Sequence, residues 1–596
     1  MLLTLLLSCA VEPEPAAPRG DCNPVDPGQC ALPFPSSFYL AEADTGSGYR
    51  VDFGPTSLPV NIDDVPIQPD RFNELDGFPI LGAMLAHLPD ADVSLALSHA
   101  DLGAYLDEDV TTVVLDLETG QRVPHFVERE VQAPEGERLL TLRPVAPMEH
   151  GHRHVVGIRG LGGDAPEGFA ALRDGLEGEA DLERQRAHYE DLIFPALQGE
   201  GFQREELLLA WDFVTVSEDS LDSMKQVRDE GLATGATYTI EGVSEGCPRV
   251  FDGHMQAPLY LDSWEPGSLL SRDADGLPAQ NGAAAVPFVV RVPCSLIEDP
   301  RPGPMVQFGH GVLGDYTEVS AIDSLAEANG WVTYAVGWTG MKSDDISQIT
   351  LAVAQDMTRF SIVPDRLHQG HLEFLLAQQM MAGDFLDELV EDGVTLGDPD
   401  QMYFYGVSQG GILGGAQVAM SPTLQRAGLS VPGMPFTLIL TRSDNFQPFL
   451  ALFQIKYDDW RDISVLIASM QMLWDPVESA GWAHQQDKPV LVQAAIGDAA
   501  VTTLSAHVMS RAYGLPLVQP SARQVWGLEP LEAPVEGGGL VEFDWGVEEP
   551  VEAVPCDVDT NTHGGPFSSA AGRLQLATFL ETGVVEQVCD GACDPY

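Results

Sequence analysis

The chain has 596 residues, 44% of them hydrophobic, with 30 Lys+Arg against 90 Asp+Glu and a formal net charge of −60. That length exceeds a single hydrophobic core and predicts two to four domains. The acidic excess excludes nucleic acid and anionic membrane as partners of the folded body, and self-repulsion keeps it soluble.

In chain order, residues 1–21 read as a lipoprotein-type signal and tether. Leu6-Leu7-Ser8-Cys9 places an apolar residue three before a cysteine and a small residue just before it. This resembles the bacterial lipobox, although the segment has no basic start and only a short apolar run. The resemblance implies export, removal of Met1–Ser8, lipidation of Cys9 and membrane anchoring, in the outer membrane or at the cell surface. The Pro- and Glu-rich residues 11–18 suit a tether. No later stretch is long and apolar enough to span a bilayer. Cys22/Cys30 and Cys589/Cys593 are spaced as local disulfides of an exported protein. Cys247 and Cys294 bracket one β-rich segment and form a third candidate pair. Cys556 is then left over. Zinc is the rival reading of the cysteines, but no second paired motif of fitting spacing exists.

Residues 22–162 carry strand signals at 110–116, 138–144 and 154–158, the spacing of a β-rich, Ig-like sandwich. Residues 163–235 switch to helical periodicity, as at 169–172 and 205–211, and predict a helical connector. Residues 236–299 return to strand, at 237–240 and 287–293, and are expected to pack on the C-terminal domain. From 300 to 596 strand and helix alternate, which predicts an α/β domain built on a mostly parallel sheet. Its strands are expected at 304–309, 331–336, 402–405, 436–440, 489–495 and 540–543. An apolar excursion at about 443–487 reads equally well as a helical cap over a pocket or as helices packed on the sheet.

The strongest motif is Gly406-Val407-Ser408-Gln409-Gly410. An apolar strand precedes it and a helix rich in small residues succeeds it, the context of a nucleophile elbow. Ser408 is the expected nucleophile. With the order Ser, Asp/Glu, His, the base must come after Ser408, where the histidines are His484, His507 and His563. His563 lies in the loop after the last strand and is the expected base. Asp498, at the end of strand 489–495, is the expected acid, with Asp444 as its rival one strand earlier. An oxyanion hole needs two backbone N–H groups. Gln409 supplies one, and His310-Gly311, after the first strand of the domain, points to Val312 for the other.

Other clusters are set aside. His150-Gly151-His152-Arg153-His154 falls at a turn and a strand start, and is read as structural rather than zinc-binding. Residues 557–568 lack the glycine and glutamate of a calcium loop. No phosphate-cradling glycine loop is present, so no cofactor and no metal are expected.

Taken together, the lipobox-like Cys9, Leu32-Pro33-Phe34-Pro35, the β-segment 110–158, His310-Gly311, the elbow, Gly497-Asp498 and His563 resemble the exported bacterial virulence-factor lipases and surface lysophospholipases. The resemblance implies an N-terminal β-rich region, a C-terminal α/β-hydrolase and hydrolysis of a small-molecule or lipid ester. A peptidase or polyester depolymerase shares the same elbow. The competing class is a non-catalytic surface binding protein that keeps the hydrolase as scaffold.

Overall fold

The computed structural model describes residues 19–244, 246–557 and 561–593. The lipobox-like segment with Cys9, and part of the 557–568 loop, lie outside them.

An eleven-stranded mixed sheet dominates the molecule. Its strands are β1 (Thr237–Ser244), β2 (Arg249–Pro258), β3 (Ala283–Val292), β4 (Gly303–Gly309), β5 (Val332–Val336), β6 (Gly397–Val407), β7 (Arg426–Ser430), β8 (Val490–Ile496), β9 (Leu517–Gln519), β10 (Pro530–Glu532) and β11 (Gly538–Asp544). They lie side by side in the order β1-β2-β3-β5-β4-β6-β7-β8-β11-β9-β10. From β5 to β10 every pairing is parallel, while β1, β2 and β3 extend the sheet by antiparallel pairing. The central strands are buried on both faces, as helices on either side of a parallel sheet require. The strand order reverses at β4: β5 lies on one side of it and β6 on the other. Such a switch point leaves a crevice at the carboxyl ends of the two strands, where open α/β sheets bind ligands.

Two expectations are corrected. Residues 436–440 form a short helix, not a strand. A five-residue apolar run does not distinguish the two, and here Phe436 stacks on Trp474 at 3.9 Å. The strand at that place in the sheet is β7, whose Gly428 and Ser430 weaken its signal. A Cβ on Gly428 would lie 2.1 Å from the Leu576 Cδ1, so the helix Ala570–Thr582 packs close there and Leu576 would have to shift for any larger residue.

The second correction lies N-terminal to the sheet. The pattern at 205–211 predicts helix, yet Leu207–Val214 is a strand. Its apolar run is almost wholly buried, a state in which helix and strand periodicities look alike. It completes a four-stranded antiparallel sheet with Gln121–Arg122, Thr112–Asp116 and Arg153–Arg159. A second antiparallel sheet joins Met84–Ala86, Leu140–Pro144 and His125–Arg129. The four-stranded sheet thus takes its last strand from beyond residue 162.

The apolar excursion consists mainly of the helices Gln447–Lys456 and Trp460–Trp474. The N-terminal region covers it. The Ile62 N–H donates to Lys456 O at 2.9 Å, Lys456 pairs with Asp63 at 2.8 Å, and the Trp460 N–H donates to Glu137 at 3.0 Å. A single buried apolar cluster runs from Val25 through the N-terminal sheets and this excursion to Leu540 in β11. Among the described residues, no helix is long and apolar enough to cross a membrane. Cys22–Cys30, Cys247–Cys294 and Cys589–Cys593 are disulfide-bonded, and among the described residues Cys556 has no disulfide partner.

Candidate active site

Ser408 lies where β6 turns sharply into the helix Gln409–Met420. Its φ of 58° and ψ of −122° are an unfavourable combination for a residue with a side chain. Neighbouring glycines make the turn possible. A Cβ on Gly406 would lie 2.1 Å from Gly410 O, and one on Gly410 would lie 2.1 Å from Gly309 O. Backbone therefore packs directly on backbone where β4, β6 and the helix meet, and the strained serine is held at the carboxyl end of β6, beside the switch strand β4.

The loop after β4 runs beside the elbow. His310 is fully buried and holds this loop in shape. Its Nε2 accepts the Trp338 N–H at 2.9 Å, so Nδ1 carries the proton and donates to Gly311 O at 2.9 Å. Burial lowers its pKa, which favours this neutral tautomer. The Gly311 N–H donates to Glu318 at 3.1 Å. Leu313 adopts a positive φ of 49°, and its N–H donates to the Gln409 side-chain oxygen at 3.1 Å. The Gln409 amide nitrogen donates in turn to Met341 O at 2.8 Å. This side chain thus ties the loop to the elbow, a role that sequence reasoning misses. The elbow pattern points to Gln409 for its N–H alone, and a glutamine's long-range partner leaves no local signal. Gln409 opens its helix, so its own N–H has no intrahelical acceptor. The Val312 N–H likewise has no hydrogen-bond partner among the described residues.

Asp498 comes just after β8 and is 1% exposed. One of its oxygens accepts the Ala500 and Val501 N–H groups at 2.8 and 3.0 Å. His563 approaches from the loop after β11, with Nδ1 2.7 Å from Asp498 Oδ2 and 3.0 Å from Oδ1. The Thr562 hydroxyl anchors that loop by donating to Gly497 O at 3.0 Å. Burial by itself would depress the His563 pKa, but the Asp498 charge and hydrogen bond outweigh it, with a smaller contribution from Asp444. The net shift is upward from 6.5.

The other two candidate bases are occupied elsewhere. His507 is 2.8 Å from Glu542, which also binds Arg523. His484 reaches Met148 O at 3.1 Å. Asp444, the rival acid, is not hydrogen-bonded to His563, and its Oδ1 is buried without a partner among the described residues. Its N–H donates to Ala499 O at 2.9 Å, which keeps it beside the Asp498 loop. Ser408 is 7% exposed, and among the described residues its hydroxyl makes no hydrogen bond to His563. The structure therefore brings Asp498 and His563 together, and leaves the serine to His563 bond unformed.

No family model matches the chain, and no curated protein matches it in sequence. Solved structures resemble part of it. An acetyl xylan esterase from Thermoanaerobacterium sp. JW/SL YS485 is 12% identical with a TM-score of 0.35, over 56% of this chain and 89% of its own. An acetyl xylan esterase from Paenibacillus sp. R4 is 12% identical with a TM-score of 0.34, over 55% and 86%. An acylaminoacyl peptidase from Pyrococcus horikoshii is 11% identical with a TM-score of 0.32, over 58% and 50%. Likenesses this distant assign neither activity nor substrate to this chain.

Proposed function

We propose that the chain is a serine hydrolase of the α/β-hydrolase type, cleaving carboxylic esters. The observation that carries this reading is the Asp498–His563 hydrogen bond at 2.7 Å, formed at the sheet edge that also presents the strained Ser408. His563 Nε2 takes the Ser408 proton as Oγ attacks the ester carbonyl. The Gln409 and Val312 N–H groups hold the oxyanion. Collapse of the tetrahedral intermediate expels the alcohol, which His563 protonates, and leaves an acyl-enzyme. His563 then activates water to release the acid. Asp498 fixes the tautomer of His563 and stabilises its charged form. Nothing in this sequence of steps requires a cofactor.

A lipid or other apolar acyl group as substrate, and the virulence-factor lipase family, belong to this proposal. So does an extracytoplasmic address, which the three disulfides favour.

A fluorophosphonate probe should label the folded protein at Ser408, as read by peptide mass spectrometry. No labelling of folded protein would favour the scaffold reading instead. The acid also has a pH test. The reaction needs neutral His563, whose pKa lies above 6.5, so kcat/KM should rise with pH through a midpoint above 6.5. Asp498→Asn should lower kcat by about 10⁴-fold and move the midpoint downward. If that variant leaves the midpoint in place, Asp444 becomes the better candidate for the acid.

A further inference from the structure

The histidine run 150–154 reads as structural in sequence, but folding brings carboxylates to it from another strand. Asp116 ends the strand Thr112–Asp116 and pairs directly with His154 across the sheet. Cross-strand partners project to the same face, and His152 lies just before the strand Arg153–Arg159. His152 Nδ1 lies 2.9 Å from Asp116 Oδ2. Glu118, exposed at the tip of the turn after Asp116, completes a group whose ligand atoms all lie within 4.8 Å of one another.

His154 provides a second, independent observation. It is 0% exposed, stacked on Phe213 at 5.3 Å, and among the described residues both of its ring nitrogens lack a hydrogen-bond partner. A buried imidazole with neither nitrogen satisfied calls for an ion or a water beside it.

We propose that Asp116, Glu118 and His152 bind one zinc-class divalent cation, beside the buried ring of His154, which stands outside the ligand set. Imidazole with carboxylate suits zinc better than calcium or magnesium. The donor atoms around a tetrahedral zinc lie roughly 3.4 Å apart, and the exposed turn that carries Glu118 can adjust to that spacing. To bind through Nδ1, His152 would carry its proton on Nε2, and its hydrogen bond to Asp116 would be replaced by shared coordination. The ion would fasten the turn at 116–120 to the start of the strand Arg153–Arg159. The site does not depend on the hydrolase reading.

The test is a Zn²⁺ titration by calorimetry of the full chain, previously stripped with chelator. Wild type should take up one ion per chain. His152→Ala and Glu118→Gln should each weaken uptake at least about tenfold, and His154→Phe, which keeps the stack on Phe213, should weaken it less. Zinc should raise the melting temperature of wild type but not of His152→Ala. No uptake by wild type, equal uptake by Glu118→Gln, or a preference for Ca²⁺ over Zn²⁺ would each overturn the proposal. Glu118 is exposed, so its variant carries the test even if His152→Ala fails to fold.

Discussion

Ser408→Ala should reduce turnover of short p-nitrophenyl esters by on the order of 10⁶-fold, the scale of losing a serine nucleophile in a hydrolase. The removed group is one hydroxyl, and the packing around it barely changes. Gly406, Gly410 and Gly309 still hold the turn by backbone contact, so the variant should fold and melt like wild type. Alanine tolerates φ of 58° no better than serine, which leaves the strain unchanged. Turnover within tenfold of wild type would remove Ser408 from the chemistry. A loss of the same size in His563→Ala, with no further loss in the double variant, would mark the two as one catalytic unit.

Glu128→Ala should cost about 3–5 kcal/mol of folding stability, the range for breaking a buried ion pair from one side. Glu128 lies on the strand His125–Arg129 and is almost completely buried between Arg143 and Arg442. Arg143 Nε is 2.5 Å from Glu128 Oε1, and Arg442 binds both carboxylate oxygens. Truncation would leave two guanidinium groups in the interior without their shared anion. Burial by itself would raise the Glu128 pKa, but Arg442 and Arg143 outweigh it and hold the carboxyl at about 2 against an ordinary 4.5. A depressed carboxylate stabilises the fold above its unfolded pKa and loses that contribution as pH falls. The deficit of the variant should therefore be constant from about pH 5 to 8, and shrink below about pH 4.5. Urea melts at about pH 7 and about pH 3.5 would measure both. A deficit under about 0.5 kcal/mol at neutral pH would show the cluster to be unimportant.

The two variants also mark what the sequence makes legible. The elbow and the His310-Gly311 loop are local: strand, glycine spacing and helix occupy one short window, so the pattern carries its own context. Asp498 and His563 are 65 residues apart, yet chain order and the ends of strands point to both. Glu128 and Arg442 are 314 residues apart, and neither has a neighbour that announces the other. The Gln409 side chain is hidden in the same way, since its partner Leu313 lies 96 residues earlier. The strand Leu207–Val214 and the helix Phe436–Leu440 fail for another reason. Both are short apolar runs, and tertiary partners rather than periodicity decide their form. Helical structure in the apolar excursion can be expected from its composition, but its covering by residues 62, 63 and 137 cannot.

That covering bears on how the protein can change over time. Where each part of a chain closes its own core, parts can be gained, lost or exchanged as modules. Here Arg442, two residues before Asp444, takes its counter-charge from Glu128, and the helices Gln447–Lys456 and Trp460–Trp474 take their outer coat from segments before residue 140. A fragment beginning near residue 236 would expose that apolar face and leave Arg442 uncompensated. The region around the candidate site and the β-rich region before it are therefore bound to be inherited together. Substitutions in the N-terminal strands, far from Ser408 in sequence, would be felt at the loop that carries Asp444.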